Sequence, residues 1–156
     1  MAEVYGNATL EDVRDKLVSK LNDMVTAMAS GYDPTISYVY DHHNTAYMQF
    51  NAVSVGLDGA EPNNQAFGSA GVTVQYECQF TVRVHTAYEG GLVDEVKNAR
   101  LINSVVNYLT KYKNLAGGYW LQDVNDVTAN QEFAESFTLG GQCTVLVTMP
   151  VTHTQG

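Results

Sequence analysis

The chain has 156 residues, 45% of them hydrophobic and 16% charged, enough for one compact domain with a substantial core. Eight Lys+Arg against 17 Asp+Glu leave a formal charge of −9, which speaks against nucleic acid or an anionic membrane as a tight partner, since both need clustered positive charge. The start Met1-Ala2-Glu3 has no basic region followed by an apolar stretch, so no signal peptide is read there, and no run of about 18 apolar residues could cross a bilayer.

Leu10, Val13, Leu17, Leu21, Met24 and Met28 recur every three or four residues, the spacing of one face of a helix. Thr9 is placed to cap it, Glu11 and Asp12 suit its first turn, and Ser30-Gly31 with Pro34 supplies the stop. Two strand-like runs follow, Ile36–Tyr40 and Ala46–Val55, separated by the turn chemistry of Asp41-His42-His43-Asn44. The segment from Gly56 to Gly71 has four glycines and almost no periodicity, and reads as a long flexible loop serving binding or assembly.

The longest alternation runs from Val72 to Thr86. Val72, Val74, Tyr76, Cys78, Phe80, Val82 and Val84 fall on an apolar face, and Thr73, Gln75, Glu77, Gln79, Thr81, Arg83 and His85 on a wet one. After Gly90-Gly91, a second helix is expected from about Leu92 to Tyr112, with Ile102, Val105, Val106, Leu109 and Tyr112 inward and Gly117-Gly118 ending it. Strands at Tyr119–Val124, Phe133–Leu139 and Gln142–Thr152 complete the chain, with Gly140-Gly141 as the last hairpin turn and the final strand central. The fold class is α+β: a mostly antiparallel β-sheet with two amphipathic helices packed on one face, in a single domain.

Patterns for chemistry are sparse. Cys78 and Cys143 fall on apolar strand faces, where thiols are inert, and two cysteines make no disulfide scaffold. No zinc-type ligand spacing occurs, and adjacent His42 and His43 would point apart on extended backbone, leaving them as a wet surface turn. Glu77 and His85 share a face but stand roughly 27 Å apart along a strand, too far for acid–base work. The Gly-rich segment lacks the P-loop lysine. The stretch Asp123-Val124-Asn125-Asp126 lacks the glycine and the twelfth-position ligand of a calcium loop. The expectation is a non-enzyme without cofactor or metal. Ten tyrosines and one tryptophan, many in or beside predicted strands, suit protein–protein contact as well as strand formation.

Two stretches carry a resemblance: the strand Val74-Gln75-Tyr76-Glu77-Cys78-Gln79-Phe80-Thr81-Val82-Arg83-Val84, and Gly90-Gly91 leading into the helix that runs through Asn98-Ala99-Arg100-Leu101-Ile102 to Tyr108-Leu109. Together with the element order, they make the chain resemble the tail terminator proteins of long-tailed bacteriophages over nearly its whole length. The resemblance implies a ring of identical subunits, hexameric in that family, in the neck region of a virion assembled in the host cytoplasm. The ring caps the tail tube, stops its polymerisation and docks the head-completion or connector protein, with DNA passing through the lumen without specific binding. No site residue carries over from the family; in the chain itself, Asp58, Glu61, Asn63, Asn64 and Phe67 of the 56–71 segment are interface candidates, and the lumen is lined by the polar face of the strand at 72–86, with Gln75, Glu77 and Gln79, or by that of the first helix. The alternatives are a tail tube subunit, a head-closure or stopper protein, a small-ligand binding domain, or an enzyme using His42 and His43.

Overall fold

The structure is a computed structural model that describes residues 10–28, 35–43, 50–68, 71–86, 95–136 and 138–153. Helix α1 (Leu10–Met28) is followed by strands β1 (Tyr38–Tyr40), β2 (Ala52–Gly68) and β3 (Gly71–His85). Helix α2 (Glu95–Lys111) then leads into β4 (Asn114–Ala116), β5 (Tyr119–Phe133) and β6 (Thr138–His153). The six strands form one sheet in the order β1-β2-β3-β6-β5-β4. Four of its five pairings are antiparallel and β1–β2 is parallel, so the sheet is mixed within an α+β fold.

The apolar stripe of α1 does what its spacing predicts: Val13, Leu17, Leu21, Met24 and Met28 are buried. In α2, Leu101, Ile102, Val105 and Leu109 are buried, whereas Tyr112 lies beyond the helix and is exposed. Both helices share one core with Cys78, Phe80, Val82 and Val84 of β3 and with Cys143, Val145, Val147, Met149 and Val151 of β6. The helices therefore cover a single sheet face, and β6 lies between β3 and β5, central as its alternation implies. The expected caps and stops at Thr9, Ser30-Gly31 and Pro34 lie outside the described residues.

Three expectations are corrected. The segment 56–71 is not a loop: through Gly68 it continues β2, and Gly71 opens β3, in a long hairpin paired from Ala52↔His85 to Gly68↔Gly71. Irregularities at Leu57/Gly59 and Pro62/Asn64 shift the register, and each shift breaks the alternation that marks a strand in sequence. Gly117-Gly118 does not end α2, which stops at Lys111; with φ of 70° and 85° the two glycines turn β4 into β5. Gly140-Gly141 is not a turn but lies inside β6, while the β5–β6 connection falls at 134–137. A side chain on Gly140 would overlap the Val84 carbonyl, and one on Gly141 would crowd Ile102 of α2 and the Thr128 carbonyl. Both glycines permit close approach rather than reversal.

Candidate functional site

The helices leave the second sheet face uncovered. Neighbouring residues there are set by the β3–β6 register: Gln75 beside Pro150, Glu77 beside Thr148, Gln79 beside Leu146, Thr81 beside Thr144 and Arg83 beside Gln142. Gln75 and Gln79 are exposed and Glu77 is half-buried, so the three lumen candidates share one accessible face. Asp58, Glu61, Glu77 and Gln79 meet around a cleft of about 330 Å³ that also touches Gly59, Ala60 and Leu146. Asp58 accepts a hydrogen bond from the Thr81 hydroxyl at 2.6 Å. Two interface candidates and two lumen candidates thus adjoin, a proximity created by the β2–β3 hairpin. The backbone of Asn64 pairs with Gln75 and that of Phe67 with Val72, and Asn63 sits in the irregularity before Asn64; their side chains lie outside the described residues.

The opposite end of the same face is closed by a hydrogen-bonded chain. His43 Nδ1 lies 2.6 Å from Ser54 Oγ, which lies 2.7 Å from His85 Nε2. His85 Nδ1 is 2.7 Å from Thr138 Oγ1, which contacts Ser136 Oγ at 2.8 Å, and Ser136 Oγ donates to the Phe133 carbonyl at 3.4 Å. That carbonyl can only accept, so the last link sets the direction of the whole chain. Ser136 accepts from Thr138 and Thr138 from the Nδ1–H of His85; His85 Nε2 accepts from Ser54 and Ser54 from the Nδ1–H of His43. Both imidazoles are then neutral Nδ1–H tautomers, which leaves the buried Nε2 of His43 an acceptor without a hydrogen-bond partner among the described residues. Gly56 makes room for that ring, because any side chain there would strike it.

Burial lowers the His85 pKa to about 3, with His43 and Arg83 adding to the effect. Burial likewise lowers His43 to about 4, helped by Arg83 and opposed by Asp58 and Glu135. His85, expected on a wet face, is 1% exposed, because Ser54, Thr138 and the Phe133 ring (centroids 5.0 Å apart) enclose it. His43, expected in a wet turn, is half-buried, while its neighbour His42 stays exposed and bonds Asp41 at 2.6 Å. Arg83 spans the rim of this end: Nε donates to Gln142 at 3.0 Å, a terminal nitrogen donates to Glu135 at 3.2 Å, and the guanidinium lies over Phe133. Glu135 is held below the usual carboxylate range by its backbone N–H and by Arg83.

Burial pushes the Cys78 thiol up to about 11 and that of Cys143 up to about 12, so neither supplies a thiolate near neutral pH. Among the described residues, no three His, Cys, Asp or Glu side chains are grouped to hold a metal ion. Asp123 to Asp126 form part of β5, where Asn125 donates to Asp123 at 3.0 Å. Exposed rings include Tyr38 on the edge strand β1, its ring tilted against Tyr40 with centroids 4.6 Å apart, and Trp120 on β5 between β4 and β6. Ser54 lies between two imidazoles and is fully buried.

No family model matches the sequence, and no curated protein is similar to it at a significant level. Among solved structures, the cryo-EM structure of the sheath/tube terminator of an extracellular contractile injection system, PVC, in its extended state is similar in fold, with a TM-score of 0.50 at 18% identity. The match covers 96% of this chain and 58% of that chain, so the present chain spans less than two-thirds of that protein's length.

Proposed function

We propose that this chain is a structural component of a phage-like tail, a terminator whose copies form a ring on the end of the tail tube and stop its growth. The observation that carries the reading is the fold likeness to a sheath/tube terminator over 96% of the chain. The long-tailed phage resemblance of the strand at 74–84 and the helix through 98–109 points the same way. In this reading the chain works by shape and stacking and catalyses nothing. Its partners are further copies of itself, the tube protein below, and a head-completion or connector protein above. The ring is hexameric, as the resemblance implies, and belongs to the neck of the particle.

The uncovered sheet face, with Gln75, Glu77 and Gln79, lines the lumen. Several copies of a chain at −9 give a channel that repels a phosphate backbone, so DNA slides through without being held. To end a tube, one ring face accepts the last tube ring while the other recruits no further subunit.

Electron microscopy of the purified chain, alone and added to growing tubes, tests the proposal. Rings or small closed assemblies alone, together with tubes whose growth stops on addition, are expected. Long self-polymerised tubes would make the chain a tube subunit. Tubes that lengthen normally in its presence would overturn the terminator role.

A further inference from the structure

Resting on the ring reading, we infer that neighbouring copies join flank to flank, the outer face of α2 on one copy against the outer edge of β2 on the next. A head-to-tail ring needs two different, complementary patches on opposite sides of one subunit. In the strand order β1-β2-β3-β6-β5-β4, β2 lies toward one margin, and α2 packs on β5 and β6 toward the other.

The two margins differ in charge. Helix α2 carries Lys97, Arg100 and Lys111 against Glu95 alone, a surplus of two positive charges in a chain at −9. Its outward stripe, Val96, Arg100, Asn103, Asn107 and Lys111, is exposed, with Val96 at 60%. The β2 margin presents Asp58 and Glu61 with Leu57, which is 40% exposed. Beyond β1, which pairs only with Ala52 to Ser54, no strand among the described residues covers β2. Asp58 and Glu61 lie on the Glu77 side of the sheet and Leu57, directly opposite Phe80, on the other, so the β2 margin meets the basic helix with charge of the opposite sign and an exposed aliphatic side chain at the same edge.

Charge also decides against the obvious rival, direct pairing of β2 with the neighbour's β5. The β5 margin carries Asp123, Asp126 and Glu132, which would face Asp58 and Glu61. Like-signed carboxylates across a contact disfavour it, while the basic helix favours it. Irregularities at Leu121/Asp123, Asn125/Thr128 and Thr128/Gln131 further spoil β5 as a template for strand addition.

Reciprocal charge reversal, read by sedimentation over a range of concentrations, is the test. Wild type is expected to self-associate, at least tenfold more weakly at 500 mM than at 50 mM salt. Arg100→Glu or Glu61→Arg alone should weaken association at least tenfold with an unchanged circular dichroism spectrum, and the double variant should recover most of the loss. Single variants that assemble like wild type would overturn the flank assignment while leaving the ring reading intact. A double variant as weak as the singles would also overturn it. A wild type that remains monomeric at every concentration and on added tubes would overturn both.

Discussion

At the scale of single residues, Phe80 shows how strand parity becomes stability. It sits mid-strand on the helix-covered face of β3 and is fully buried in the shared core. Phe80→Ala should cost about 3–5 kcal/mol, the range for emptying an aromatic site in a close-packed interior, as measured by urea denaturation. The alternation of β3 gives this assignment from sequence alone. It does not give the environment of His85, which belongs to the polar parity yet is sealed by Ser54, Thr138 and Phe133, 31 to 53 residues away in the chain.

His85 also predicts a pH dependence. Its pKa falls from the ordinary 6.5 to about 3 on folding, so between those values the unfolded chain holds the proton and the folded chain does not. Stability must then fall as pH falls through that window, with about 2 kcal/mol lost between pH 7 and pH 5 on account of His85 alone. His43, lowered to about 4, acts in the same direction. Denaturation midpoints at pH 7, 6 and 5 should decline steadily, and His85→Gln should flatten the decline even though the variant starts less stable. A flat wild-type profile would mean that the imidazoles are solvated.

At the scale of elements, the glycines carry the lesson. Gly140→Ala places a methyl group against the Val84 carbonyl and should cost about 1–3 kcal/mol through displaced β3–β6 pairing, again measured by denaturation. In sequence a glycine pair signals a turn or a close approach equally well, and only the neighbouring strand and helix decide between them. Both helices and the inward faces of β3 and β6 are legible because burial on one side imposes a regular period. The β2–β3 hairpin is not, because its register shifts break that period and its outer strand keeps exposed polar residues such as Asp58 and Glu61. The acidic cleft follows from that hairpin and was equally hidden. Its members Asp58, Glu61, Glu77 and Gln79 are visible as candidates, but not as neighbours.

At the scale of the whole molecule, the proposed lumen lined by β3 makes a prediction about nucleic acid. Wild-type rings should not retain duplex DNA at physiological salt. The variant Glu77→Lys/Gln79→Lys should assemble with unchanged mass and retain linear duplexes, which can thread, while covalently closed circles pass by. Gel-shift assays with the two DNA forms would check this, and equal retention of circles would place these residues on the outside.

The two sequestered sulfurs have a practical corollary. Since Cys78 and Cys143 are both buried, maleimide dyes should leave the native chain unmodified and react only once it is denatured. A single cysteine introduced at an exposed position therefore becomes a unique attachment point, with no need to rebuild the interior. Fluorophore pairs placed that way could follow the proposed assembly in real time.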